Sequence, residues 1–427
     1  MRHLAIYRHR TVFVLLMGLS LLGTPVYAHA VQASDDTSLR LQMDEVNLDL
    51  QNGNLDEAAD RLAQLEQKHP GNADLYALQS ELDLQRENRG MAFADASAPG
   101  VPNAAKLQHD ALLAPLGGYV GGGYERRVTD EAYEQIWSVE GTTQLSKGLG
   151  LSLQLEDNHV NTTVPFLRSN GTTQSFYGNR QSGFVTLDKM FDDGQEVRGS
   201  VYALENKAGV GLDYSLWDKW GTTSLYADYN KPVDDFVEMV VEHGVKHDIY
   251  AERKLLIDQY AQARVFGGFT SYAMDGITDA ADAPGWGADL DYVRPVKLFD
   301  GKGTEDEGGD VTLGCHYSAL AEYFTHIAQR IDTANQLFTP LPTADYEVHD
   351  FSVTAAKNLM PELTTEIQAG MGVNRMTGQS GPLYSLVIKY DVVKDISLNF
   401  HASRNMLGGQ NDSEKEDILG ANMKWAY

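Results

Sequence analysis

Leu419-Gly420-Ala421-Asn422-Met423-Lys424-Trp425-Ala426-Tyr427 is the stretch on which the fold turns. At a period of two, Leu419, Ala421, Met423, Trp425 and Tyr427 share one face of a strand, and Gly420, Asn422, Lys424 and Ala426 share the other. The sequence stops on an aromatic ring with no polar tail after it. A strand that is apolar on one face, polar on the other and flush on an aromatic matches the closing strand of a transmembrane barrel, its rings at a membrane interface. The last strand of a soluble antiparallel sheet alternates in the same way, so the rest of the chain has to choose.

Repetition makes the choice. From about Leu112 onward the period stays at two. Leu149, Leu151, Leu153 and Leu155 alternate with Gly150, Ser152, Gln154 and Glu156. Val210, Leu212, Tyr214 and Leu216 alternate with Gly209, Gly211, Asp213 and Ser215, and Trp286, Ala288, Leu290 and Tyr292 with Gly287, Asp289 and Asp291. The pattern returns around Leu363 to Val373 and Ile396 to Ala402. A two-sheet sandwich alternates too, but rarely for so long as one domain. Short connections at Lys147-Gly148, Asp192 to Gly194, Asp218 to Trp220, Met360-Pro361 and Val392 to Asp395 mostly alternate with longer ones. The longer set is Asn158 to Thr172, Asp275 to Ala283, His326 to Thr343 and Met406 to Glu414, with Phe299 to Asp310 a long connection on the short-turn side. Short periplasmic turns and long outside loops are the outer-membrane pattern. The fold class expected is mostly β: an antiparallel transmembrane barrel of about 16 strands (14 and 18 being the adjacent counts), with both chain ends in the periplasm.

The other end of the chain fits export. Arg2, Arg8 and Arg10 precede an apolar run from Thr11 to Leu22, then Pro25 and small residues with cleavage expected after Ala28 or Ala30. No Cys lies near that site, which argues against a lipoprotein. Nothing after residue 30 supplies the ~18 apolar residues a membrane helix needs, so a spanning structure has to be a closed barrel. Cys315 is the single cysteine, which excludes an intramolecular disulfide. Lys+Arg 34 against Asp+Glu 60 leaves a formal charge of -26, which argues against nucleic acid as a partner. A mean hydropathy of -0.34 excludes a helical membrane protein, and 21 Tyr and 40 Gly suit aromatic girdles and tight turns.

Residues 37 to 90 read as helix. Gly53-Asn54-Leu55-Asp56-Glu57-Ala58, then Leu62, Leu65 and Pro70, resemble a tetratricopeptide repeat. The resemblance implies Gly53 at the inter-helix turn, Ala58 at the close crossing, Leu62 and Leu65 on the packing face, and Pro70 after the second helix. Asp74 to Asn88 would begin the next repeat, and a plain helical hairpin is the simpler reading. Ala92 to Lys106 is a small-residue linker bearing Pro and Gly. The domains expected are a signal peptide at 1–30, periplasmic tetratricopeptide-like helices at 31–91, a linker at 92–111 and an outer-membrane barrel at 112–427.

Sixteen strands leave an aqueous channel where eight are filled by side chains. The polar phase places Glu134, Glu140, Glu156, Asp213, Asp228, Asp289, Asp291, Glu322 and Glu366 on the lumen face, where carboxylates select cations. A register error of one residue would send any of them to the other face. Catalysis finds no motif: the sequence neighbours of His316, His349 and His401 form no catalytic pattern, and His401, between Asn399 and Ser403, reads as a polar lumen residue. No metal-site spacing or phosphate loop is present, and no cofactor is called for.

Signal peptide, tetratricopeptide helices, linker and C-terminal barrel together resemble the outer-membrane exporters of biofilm exopolysaccharides, of the poly-N-acetylglucosamine, cellulose and Pel type. The segment Gln336-Leu337-Phe338-Thr339-Pro340, followed by Val348 to Lys357, is similar to the aromatic-Ser-Pro segment before a strand in that family, with Thr339 in place of Ser. Those exporters carry many repeats, whereas this chain carries barely two. The resemblance implies a passive conduit, without an active site, for a polymer made at the inner membrane. The function expected is export of a cationic or partly de-N-acetylated exopolysaccharide. A general or cation-preferring diffusion porin, and an adhesin or structural barrel, are the alternatives. The partners expected are the polysaccharide chain, the lipid bilayer, the barrel-assembly machinery, and a periplasmic scaffold or modifying enzyme on the helical segment.

Overall fold

A strand with every second residue apolar has one face fit for lipid, and only a closed sheet leaves no unpaired edge there. The computed structural model describes residues 35–51, 54–86, 91–92, 95, 101, 118–146, 148–191, 193–205, 207–218, 220–233, 237–258, 260–296, 311–360, 362–393, 395–406 and 415–427. The expected signal peptide, Gly53 and nearly all of the linker lie outside them.

The strands run in chain order as β1 (Tyr119–Val128), β2 (Ala132–Ser146), β3 (Leu149–Thr162), β4 (Phe166–Leu167), β5 (Thr173–Gln174), β6 (Tyr177–Met190) and β7 (Gln195–Leu204). Then come β8 (Lys207–Asp218), β9 (Gly221–Pro232), β10 (Val245–Leu256), β11 (Ala261–Met274), β12 (Ile277–Val296) and β13 (Val311–Glu322). Short β14 (His326–Ile327), β15 (Arg330–Ile331) and β16 (Leu337–Phe338) precede β17 (Tyr346–Met360), β18 (Leu363–Asn374), β19 (Gln379–Val393), β20 (Ile396–Met406) and β21 (Lys415–Ala426). The sixteen long strands pair antiparallel with their neighbours, and β21 returns to β1 to close the barrel. The seam register runs from Tyr119↔Ala426 to Val128↔Asp417. β4–β5 and β15–β16 are separate small hairpins in the connections.

The register sets the faces. Leu153, Leu155, Val210, Leu212, Ile367, Phe400 and Met423 are exposed apolar residues on the outer face, while their neighbours in sequence are mostly half-buried or buried. Trp137, Tyr292, Trp425 and Tyr427 are exposed on the same surface. One barrel end, here the terminal end, carries the start of β1, the finish of β21 and most of the tight turns. At two of those turns Gly148 (φ 64°) and Gly194 (φ 78°) take the left-handed conformation. Val296 and Val311 pair at this end too, and the connection between them lies outside the described residues.

The far end carries the long connections, with two corrections to the sequence reading. Asp275 to Ala283 is not a loop: Asp275-Gly276 is a two-residue turn with Gly276 at φ 73°, and β12 is already under way at Ile277. The connection expected to begin at Asn158 begins only after Thr162. In both places the ladder continues beyond the apolar band, so the period-two apolar signal fades before the strand ends.

Before the barrel, α1 (Asp35–Gln51), α2 (Leu55–Lys68) and α3 (Ala73–Gln85) pack into one core. Ala58, Leu62 and Leu65 are buried there with Val46, Leu75 and Leu82, and Pro70 is exposed just after α2. Asn72 caps α3, its Oδ1 accepting the Asp74 and Leu75 N–H groups at 2.9 and 3.3 Å. Ser80 donates to the Ala92 carbonyl (2.7 Å). Burial, then the nearby Asp83 and Glu66, push the Asp95 carboxyl up to about 8, and burial also raises Asp83. An unfolded aspartate titrates near ~3.9, so this contribution to stability is fully present below about pH 4 and is lost as pH rises to about 8. Amide protection in α3, corrected for intrinsic exchange, is expected to fall between pH 5 and pH 8, and Asp95→Asn to flatten that fall. An unchanged slope in the variant would refute the assignment.

Candidate functional site

The inner wall is built by the alternate residues of the same strands, so each inward side chain is fixed by the ladder that fixes its lipid-facing neighbours. All nine carboxylates named from the sequence stand on this face. Glu134, Asp228, Asp289 and Glu322 are buried, and Glu140, Glu156, Asp213, Asp291 and Glu366 are half-exposed. They do not form one ring: Glu134 lies near the far end of β2, and Glu366 near the terminal end of β18.

These carboxylates are partnered. Asn158 Nδ2 donates to Glu134 (2.6 Å), and Lys424 Nζ pairs with Glu140 (3.0 Å). Gln154 and Ser182 donate to Glu156. Arg198 lies 3.6 Å from Asp213 and from Asp188, and 2.7 Å from Glu196. Asp228 accepts from the Tyr202 hydroxyl and from Lys231 Nζ (2.6 Å). Arg264 bridges Asp289 (3.0 Å) and Glu252 (2.7 Å). Asp291 meets His316 Nδ1 at 2.6 Å, and Tyr272 donates to Glu322 (3.2 Å). The inner wall is thus acidic but laced with cations. Arg198, Arg264 and Lys231 were not singled out from sequence. The phase that places the carboxylates also places Arg198 and Arg264 inward, whereas Lys231 is out of phase with Asp228 and turns inward only through the bulge at Asn230 (φ 53°).

Several inward rings lean over glycines of the wall. The Tyr202 ring reaches over Gly211, Tyr250 over Gly268, Phe266 over Gly287 and His401 over Gly420; a Cβ at any of these glycines would overlap the ring. Tyr226 stacks on Tyr250 (5.5 Å, 10° between planes), and the Arg264 guanidinium covers Phe266 at 4.5 Å.

Over the far end the bore is covered. The short helix α4 (Val237–Val241) lies in the β9–β10 connection and is buried from Glu238 onward. Val240 and Val241 cluster with Ala132, Val160 and Phe176, while Met239 clusters with Tyr272, Met274, Ile277, Ala281 and Leu341. In strand order, β2 and β3 stand on the opposite side of the barrel from β11 and β12, so α4 touches both walls. Glu242, just after it, accepts from Arg168 Nε and from the Ser169 N–H (3.3 Å) and Oγ (2.9 Å), all in the β3–β6 connection. The Thr333 N–H reaches the Gly171 carbonyl (3.3 Å), which joins that connection to the one between β13 and β17.

Of the histidines weighed for catalysis, His316 meets Asp291, His349 meets the Tyr317 hydroxyl and Glu347, and His401 stands 3.5 Å from Glu125. Their partners are carboxylates and a tyrosine, not a serine. Among the described residues no three His, Cys, Asp or Glu side chains gather to hold a metal ion.

A closed sixteen-stranded antiparallel barrel with an apolar outer face and a polar inner face is the architecture of an outer-membrane barrel. A solved structure described as a bacterial polysaccharide outer membrane secretin superposes with a TM-score of 0.51 at 8% identity, over 73% of this chain and 98% of that one. At that identity the likeness shows the fold. OprB of Pseudomonas putida (TM-score 0.36, 9% identity, 74% of this chain and 95% of that) and OprD of Pseudomonas aeruginosa (0.33, 9%, 73% and 94%) are more distant barrels. No family model matches the chain. No curated protein matches it either.

Proposed function

We propose that this barrel is a passive outer-membrane conduit for an exopolysaccharide that is cationic or partly de-N-acetylated. The observation that carries the reading is the acidic, hydrogen-bonding inner wall of a sixteen-strand bore. A polyhydroxylated chain exchanges its water bonds for bonds to such a wall, and free ammonium groups are drawn to its carboxylates. The similarity in fold to a polysaccharide secretin agrees with this. The helices before β1, read as tetratricopeptide-like from their sequence, would hang in the periplasm and offer a surface to a scaffold or modifying enzyme.

Replacing Asp289, Asp291 and Glu366 together with Asn, Asn and Gln tests the wall charge. It removes three negative groups, leaves Arg264 with Glu252 alone and takes the Asp291 carboxylate from His316, all at unchanged side-chain size. In planar bilayers under a salt gradient, the reversal potential of open channels is expected to move toward anion preference. The shift should shrink at high salt, because the Debye length falls from about 10 Å at 0.1 M to about 3 Å at 1 M. Unaltered selectivity with normal insertion would remove the physical support for a cationic polymer.

A further inference from the structure

We propose that Val237–Gly244 is a gate, latched shut by Glu242, that swings aside to open the bore; this rests on the conduit reading above. The argument starts from the two kinds of attachment that hold the segment. His243, at φ 48°, sits between Glu205 (3.1 Å) and Asp275 (2.8 Å), and Lys207 donates to its carbonyl (2.6 Å) while pairing with Asp275 (2.8 Å). Glu205, Lys207 and Asp275 belong to the tight β7–β8 and β11–β12 turns, which flank β9 and β10, the strands that bear the segment. The Val233 N–H also bonds the Gly244 carbonyl (3.1 Å), which closes the base of the loop. Those contacts are on the hinge side and survive a rotation of α4 out of the mouth.

The Glu242 carbonyl shares the hinge side, accepting the Asp275 N–H (2.9 Å), and only its side chain makes the other kind of attachment. Its carboxylate is buried and held by Arg168 and Ser169, in a connection rooted between β3 and β6 across the bore. Opening has to break these bonds and the apolar contacts of Met239, Val240 and Val241. A permanent cap would be served better by an apolar residue at position 242, because a buried ion pair gives little net stability over a well-packed hydrophobic one. An ion pair has the opposite merit in a gate: both charges are rehydrated once the mouth opens. A polar bore beneath an apolar cap also has no purpose if the cap never moves.

The test is open probability in planar bilayers, using full-length protein whose insertion is checked by heat-modifiable migration. Wild type is expected to be mostly closed, and Arg168→Ala and Glu242→Ala to raise open probability by about tenfold or more, since the latch stabilises only the closed state. Should Glu242→Ala fail to insert, Glu242→Gln and Ser169→Ala carry the same expectation at smaller size. A disulfide between cysteines at Val160 and Val240, which share one face of the seal, in a Cys315→Ser background, should lower conductance reversibly with reductant. Equal, high conductance in wild type, latch variants and the cross-linked form overturns the gate and leaves the conduit. A barrel with residues 237–242 replaced by Gly and Ser that inserts yet passes no current overturns the conduit reading, and the gate with it.

Discussion

Deleting Trp425, Ala426 and Tyr427 is expected to leave almost no heat-modifiable barrel in the membrane fraction. The seam explains the size of the effect. Tyr119 pairs with Ala426 and Val120 with Trp425, the Tyr427 N–H bonds the Gly118 carbonyl (2.9 Å), and the Ala426 N–H bonds the Asp395 carbonyl (2.8 Å). Each lost bond frays the seam from its terminal end, and the open edge this begins is costly wherever it runs into lipid. Trp425 and Tyr427 also expose their rings on the outer surface at the interface level. Trp425→Ala, which keeps every backbone bond, should insert at reduced yield. Wild-type amounts of folded barrel in the truncation, measured by band shift before and after boiling, would show that closure does not depend on these residues.

Gly268→Val should be nearly as damaging, and Gly199→Val close to silent. A Cβ at Gly268 would overlap both the Ile249 carbonyl and the Tyr250 ring, so neither the ladder nor the ring keeps its place. Ordinary overpacking costs ~1–3 kcal/mol, and here the obstructing atom is backbone, which cannot turn away. Gly199 has nothing within 4 Å of its added Cβ, and its phase in β7 puts it beside lipid, where Val is at home. Refolding yield into detergent, read from the same band shift, separates the two. Equal yields would mean the wall gives way locally without loss of register.

The faces of the barrel were legible because alternation is a local signal: Leu153 next to Gln154 and Glu156 needs no knowledge of the rest of the chain. Partnership was not. Arg264 meets Asp289, twenty-five residues away, and only the strand register says so. The mouth was opaque for another reason. Outside the bilayer the outer face need not be apolar, so Asp-Gly-Ile-Thr-Asp-Ala-Ala-Asp-Ala at 275–283 reads as loop although it turns and resumes a ladder. Likewise Val237-Glu238-Met239-Val240-Val241 carries an apolar run with no period to say what it covers. The helical core was legible in Ala58, Leu62 and Leu65, while Asp95 owes its high pKa to groups that meet it only through folding.

The seating of Tyr202, Tyr250 and Phe266 over glycines would bear on motion along the bore of the proposed conduit. Rings that stood on edge would corrugate the passage, and a long molecule in transit would stall at each one as at a tooth of a ratchet. Leaning over glycine, where no side chain lifts them, they would project less than over a larger residue. Friction along that side would then come chiefly from making and breaking bonds to water and to the charged groups, so a moving chain would be slowed by viscous drag and not caught by shape.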